Sequence, residues 1–249
     1  MYKNICFLTV LLFFSLALHS SEKPLGELKR SGVIEVVSDH YSVSFFPGHM
    51  FPFALKLADG TQLPQVRFLD RLVKDKKTYF LYKERFAETR IIKNTPEHLI
   101  LEISGSFVYD DDHSAPGKTS AVYRYECRKS TPAITITAEI SCGIKQNWNE
   151  LVFCQPGWKQ TPFDKFTDLN GKTTALYSGK KWAESFKFQN FAGLVCKNME
   201  FGIKAPQVII WNNAAKNYYT YISLPAVKNW NGETISLTSQ MIIRRFNNK

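Results

Sequence analysis

The sequence predicts an all-β fold, a large antiparallel sandwich of two sheets, from three observations. Apolar and polar residues alternate with period two, turn residues separate the alternating segments, and no stretch of about ten residues keeps a helical apolar stripe. The alternation is clearest mid-chain. Ile134, Ile136, Ala138 and Ile140 fall on one side of a pleat and Thr135, Thr137 and Glu139 on the other, as in a strand with one wet face. Leu99, Leu101 and Ile103 oppose Glu102 and Ser104 in the same way, and Tyr123, Tyr125 and Cys127 oppose Arg124, Glu126 and Arg128. Earlier strands are expected at 33–37, 41–46, 53–57, 65–69, 78–82 and 88–92. Later ones are expected at 151–154, 173–177, 185–188, 193–196, 201–204, 208–211, 218–223 and 234–244. Asp59-Gly60, Asn170-Gly171 and Asn231-Gly232 supply residues that tolerate positive φ, as tight reversals require. Pro64, Pro96, Pro116, Pro132, Pro156 and Pro206 add breaks. With no linker, low-complexity tract or repeat, residues 21–249 read as a single β-sandwich domain.

Residues 1–20 are expected to be a cleavable signal peptide. Lys3 precedes an apolar run from Ile5 to Leu18, and cleavage is expected after Ala17 or Ser20. The run falls short of the roughly 20 residues that span a bilayer, so no transmembrane segment is expected once the leader is removed. The expected destination is the periplasm or the medium. Lys3 leaves with the leader, so 31 of the 32 basic residues remain against 22 acidic ones, a formal charge of +9. Such a surface suits an acidic polysaccharide, suits a membrane or cell wall, or is incidental to a soluble basic protein. No arginine-rich arm, finger or helix-turn-helix pattern is present, so nucleic acid is not an expected partner. Cys127, Cys142, Cys154 and Cys196 remain, and one or two disulfides are expected in an oxidising compartment, with the pairing left open. Buried thiols are the alternative, and the gaps are too wide for a zinc site.

The run Gly117-Lys118-Thr119-Ser120-Ala121-Val122-Tyr123-Arg124-Tyr125-Glu126, followed by Ser130-Thr131-Pro132-Ala133-Ile134-Thr135-Ile136, resembles the paired strands of galactose-mutarotase-like β-supersandwich domains. These domains occur in polysaccharide lyases, related glycan-active enzymes and aldose epimerases. Phe191-Ala192-Gly193-Leu194-Val195-Cys196 and Glu200-Phe201-Gly202-Ile203 resemble a later passage of the lyase-associated members. The resemblance covers roughly residues 98–211 and implies a supersandwich and a carbohydrate partner. The epimerases use a His and a Glu for proton transfer. Neither maps onto a position here, so the resemblance assigns no catalytic pair.

Sugars are recognised by flat aromatic faces against C–H patches, with amides and charges around the hydroxyls. Asn147-Trp148-Asn149-Glu150 and Asn229-Trp230-Asn231 place aromatics between amides in expected loops. Trp148, Asn147, Asn149, Trp158, Trp182 and Trp230, with Arg124 and Arg128, are therefore the candidate substrate-binding residues; burial of these tryptophans in the core is the alternative. Asp110, Asp111 and Asp112 are candidate Ca²⁺ ligands with His113 beside them as an acid or base; a solvated loop is the plainer reading, and no other cofactor is expected. His113, Glu150 and Tyr123 are the catalytic candidates. Alternation sends Tyr123 and Arg124 to opposite faces, so the two cannot share a pocket, and Glu150 has no carboxylate partner in view. G-x-S-x-G, a Gly-rich phosphate loop and H-E-x-x-H are all missing, which removes serine hydrolase, nucleotide and zinc-protease readings. The reading is an exported protein acting on a polysaccharide, an anionic one on the charge argument, in a lyase- or epimerase-like manner. A non-catalytic carbohydrate-binding accessory module and a structural or protein-binding surface sandwich are the alternatives. Oligomeric state is left open.

Overall fold

The computed structural model describes residues 22–109, 113–159, 162–177, 184–212 and 219–246. The expected leader lies outside them. The chain opens with β1 (Gly26–Leu28), β2 (Ile34–Val37), β3 (Tyr41–Phe45) and β4 (Pro52–Leu57), then β5 (Arg67–Phe68), β6 (Arg71–Lys74) and β7 (Lys77–Phe80). A single 3-10 turn, Leu81–Lys83, follows. Next come β8 (Glu88–Asn94), β9 (His98–Gly105), β10 (Thr119–Arg128), β11 (Ala133–Cys142), β12 (Trp148–Val152), β13 (Pro156–Lys159), β14 (Lys165–Asp168) and β15 (Thr173–Ala175). The chain closes with β16 (Glu184–Cys196), β17 (Met199–Asn212), β18 (Tyr219–Ser223), β19 (Val227–Trp230) and β20 (Ile235–Arg245).

Three antiparallel sheets result. The large one runs β15-β14-β16-β17-β20-β11-β10-β9-β8, with β18 branching from β17 to reach β13 and β5. The small sheets are β1-β2-β3-β4 and β19-β12-β6-β7. Alternation does what the sequence predicts: Leu99, Leu101, Ile103, Tyr123, Tyr125, Ile134, Ile136 and Ile140 are all buried on one face of β9, β10 and β11. Each such side chain contributes about 1.5–3 kcal/mol by leaving water. Against this face lies the first small sheet, with Phe45 edge-on to Tyr125 at 5.1 Å and Phe51 edge-on to Tyr123 at 5.5 Å.

Two pairs of expected strands are single long strands. The segments 185–188 and 193–196 are both β16, and 201–204 and 208–211 are both β17. Pro206 does not break β17 because the ladder slips there, between Gln189 and Phe191, where Asn190 takes φ 65°. A missing N–H costs nothing at such an irregularity. Gly60 and Gly171 turn with φ 85° and 76°, as their dipeptides predict.

One buried carboxylate ties the layers together. Asp70 accepts hydrogen bonds from Tyr123 Oη (2.8 Å), the Cys154 N–H (2.7 Å) and the Gln155 N–H (2.9 Å). It thus fixes the corner between β5 and β6 against β10 and the link from β12 to β13. The expected disulfides are not formed: Cys127, Cys142, Cys154 and Cys196 are free thiols. Cys142 Sγ accepts from Trp148 Nε1 and Cys154 Sγ from Ser239 Oγ. A core of this size needs no staple.

Candidate functional site: an aromatic and cationic face beside a cleft

Registered partners on neighbouring strands share a face. One such row crosses five strands: Arg67 on β5 pairs with Gly157 on β13, Gly157 with Tyr221 on β18, Tyr221 with Trp211 on β17, and Trp211 with Ser185 on β16. Gly157 has no side chain, so the row dips between the Arg67 guanidinium and the Tyr221 ring. Trp211 and Tyr221 stack with ring centres 6.1 Å apart and planes 12° apart, and both are half-exposed. This is a half-buried pair of parallel aromatic rings in one row with a cation.

A polar cluster borders the pair. Arg71 Nη2 donates to Glu150 Oε1 at 2.9 Å, Arg71 Nη1 donates to Gln155, and Lys228 bonds the other Glu150 oxygen. Burial pushes the Glu150 carboxyl up, but the Lys228 bond and the Arg71 charge outweigh it, and the group is held below its ordinary value. It is therefore an ionised acceptor, not a proton donor. Burial pushes the Tyr221 hydroxyl up, and the phenol stays protonated.

Two residues along β18, Tyr219 opens into a cleft of about 480 Å³. Its polar walls are His49, Gln65, Arg67, Tyr82, Arg85, Lys159 and Tyr219, and no Asp or Glu is among its described lining residues. Arg67 donates to Tyr219 Oη at 3.3 Å and lies 5.3 Å over the Tyr82 ring. Arg85 Nη1 stands 3.4 Å from His49 Nδ1. Partial burial, and then the Arg85 charge, hold the imidazole below its ordinary pKa. An Arg can only donate, so Nδ1 accepts and the neutral ring carries its proton on Nε2. The cleft thus presents mostly donors and three permanent cations, a setting for an acidic ligand.

Most residues singled out in the sequence lie elsewhere. Trp148 and Trp230 are in β12 and β19, not in loops, and both are buried, as is Trp158. Their rings pack inward on one another, on Tyr79, and on Phe163 and Phe201, so they offer no platform. Tyr123 is buried against Asp70, which leaves it a structural group. Arg124 and Arg128 lie on the wet face of β10, paired with Glu102 and Glu126. His113 is exposed between β9 and β10. Asp110, Asp111, Asp112 and Trp182 lie outside the described residues, and among the described residues no three acidic, His or Cys groups gather to hold a metal. Asn147 and Asn149 do come together, with Lys74, Asp75 and Asn229, around a shallow polar hollow above buried Trp148. Of the candidates, Glu150 borders the aromatic face, and buried Trp158 lies against the wall of the cleft.

No protein-family model and no curated protein matches the sequence. Solved structures do match. A galactose mutarotase related enzyme from Lactobacillus acidophilus is 12% identical with a TM-score of 0.52, over 87% of this chain and 99% of that one. The chain has the galactose-mutarotase-like fold. The same galactose-mutarotase-like sandwich matches part of larger chains. A GH36 alpha-galactosidase from Geobacillus stearothermophilus is 11% identical with a TM-score of 0.56, over 88% of this chain and 40% of that one. A TPR-domain containing protein from Parabacteroides distasonis is 9% identical with a TM-score of 0.59, over 89% and 48%. Within this galactose-mutarotase-like sandwich, the row from Arg67 to Ser185 was hidden from the sequence because its members come from five distant segments. The one local signal was the alternation of 218–223, which puts Tyr219 and Tyr221 on one side.

Proposed function

We propose that this chain is exported and binds an acidic polysaccharide, laying sugar rings on Trp211 and Tyr221 and directing acidic groups to Arg67, Arg85 and Lys159. The observation that carries the reading is the junction of a stacked aromatic pair with a cleft whose described walls hold three cations and no carboxylate. Sugar C–H faces match the rings, and uronate or sulfate groups match the cations. Two of the fold neighbours are named for galactose chemistry, which supports a saccharide as the ligand class. Binding is favoured over turnover for two reasons. Glu150 is clamped as an ion by Arg71 and Lys228, and His49 turns its Nδ1 lone pair to Arg85. The test is titration with oligogalacturonate, polymannuronate, chondroitin sulfate and neutral glucans, following heat and new absorbance from unsaturated ends. The expected result is saturable binding of at least one acidic chain, weakened about tenfold or more by Trp211→Ala, with no new absorbance. Binding of none of the acidic chains, or undiminished binding by the Trp211 variant, would overturn the reading.

A further inference from the structure

We propose that the bound acidic saccharide carries a short acyl ester, which lies in an apolar hollow adjoining the cationic cleft. The proposal rests on the saccharide reading above and specifies its ligand. The hollow has a volume of about 430 Å³. Phe46, Phe53, Leu55, Leu63 and Val66 form its apolar walls. It adjoins the cleft, since His49, Phe53, Pro64, Gln65 and Val66 line both.

The wall is a built one. Phe46 meets Phe53 edge-on at 5.7 Å, and His49 meets Phe53 edge-on at 5.2 Å, so the rings hold one another in place. Behind them the ladder between β3 and β4 slips between Ser42 and Ser44, and Ala54 takes φ 48°. A non-glycine residue in the left-handed region costs free energy, and a bulge re-aims the neighbouring side chains. Here the two features turn this stretch of β4 toward the hollow instead of continuing a flat strand.

The chemistry of the two compartments decides the occupant. Bare sugar hydroxyls against Phe46, Phe53 and Leu63 would lose their hydrogen bonds to water without replacement. An acyl ester offers an apolar chain to those walls and a carbonyl acceptor at the mouth. Two donors line both the hollow and the cleft, the Gln65 amide and the Nε2–H of His49, whose Nδ1 is engaged by Arg85. The acid group of the same ligand stays within reach of Arg67 and Arg85 in the cleft.

The test titrates the full chain with one polymannuronate oligomer in three forms: unesterified, acetylated and butanoylated. Each carbon that enters the hollow should tighten binding about fourfold. Phe46→Ser and Phe46→Gln should flatten this series while leaving affinity for the unesterified oligomer within about twofold, since Phe46 lines the hollow and not the cleft. Phe46 is 38% exposed, so its replacement leaves the core intact. Equal affinity for all three forms, with the unesterified oligomer bound, overturns the ester and leaves the saccharide reading standing. A chain-length dependence that survives in both variants also overturns the proposed seat. Binding of none of the three overturns the ester, and the saccharide reading falls with it when oligogalacturonate and chondroitin sulfate also fail to bind.

Discussion

Replacing Asp70 probes the joint that sets the whole site in place. Its carboxylate receives three hydrogen bonds, from Tyr123 Oη and from the backbone of Cys154 and Gln155, and it is fully buried. Asp70→Ala leaves three buried donors without acceptors, each costing about 1–3 kcal/mol, partly relieved by no longer burying a carboxyl group. The net expected loss is about 3–5 kcal/mol, or a fall in Tm of roughly 10 °C for a domain of this size. Asp70→Asn keeps one acceptor but turns an amide N–H toward donors, and about 2 kcal/mol is expected. Urea unfolding followed by tryptophan fluorescence measures both. The pH dependence has a definite sign. Burial raises the Asp70 carboxyl above its ordinary value of 3.8, against the lowering by its three hydrogen bonds. A raised folded pKa means that this contribution is full below pH 3.8 and is lost as the pH rises through the folded value. Asp70→Asn should remove that component from the stability-versus-pH curve. Stability of the Ala variant within 1 kcal/mol of the parent would refute the account of the joint.

Three further outcomes follow from single residues. Arg67→Gln should weaken acidic glycan binding roughly 10- to 100-fold and reduce its salt dependence, as loss of a charge-assisted contact implies, while thermal stability stays within about 0.5 kcal/mol because the side chain is exposed. Arg67→Lys, which keeps the charge but not the fork, should restore only part of the affinity. His49 is neutral at pH 7, its pKa lowered by partial burial and by Arg85, so acidification below 6.5 should tighten anion binding as the ring gains charge; His49→Asn should flatten that profile in the same titration. Gly193→Val should destabilise the chain by about 1–3 kcal/mol in urea unfolding, because a Cβ there would lie 2.6 Å from both Glu200 Oε1 and Thr167 Oγ1.

The fold was legible because half-buried strands write their burial into alternate residues. In β10 and β11 every expected inward residue from Tyr123 to Ile140 is buried. Short strands were less visible: β13, β14 and β19 have four residues each, too few to show a period. β17 was read as broken because Pro206 looks like punctuation, yet it sits where the ladder slips. The site was mostly illegible. Asn-Trp-Asn looked like an exposed loop, but strand pairing of Trp148 with Trp230 turns both rings inward. The row from Arg67 to Ser185 exists only through register, which no local spacing encodes. Glu150 was visible as a candidate, while its partners Arg71 and Lys228 lie on other strands or their edges.

The most direct test of acid recognition compares oligogalacturonate with the same oligomer after its carboxylates are reduced to alcohols, each titrated calorimetrically into the full chain. The account expects the acid form to bind at least tenfold more tightly, with the difference reduced by Arg67→Gln. Equal affinity for the two forms would contradict it.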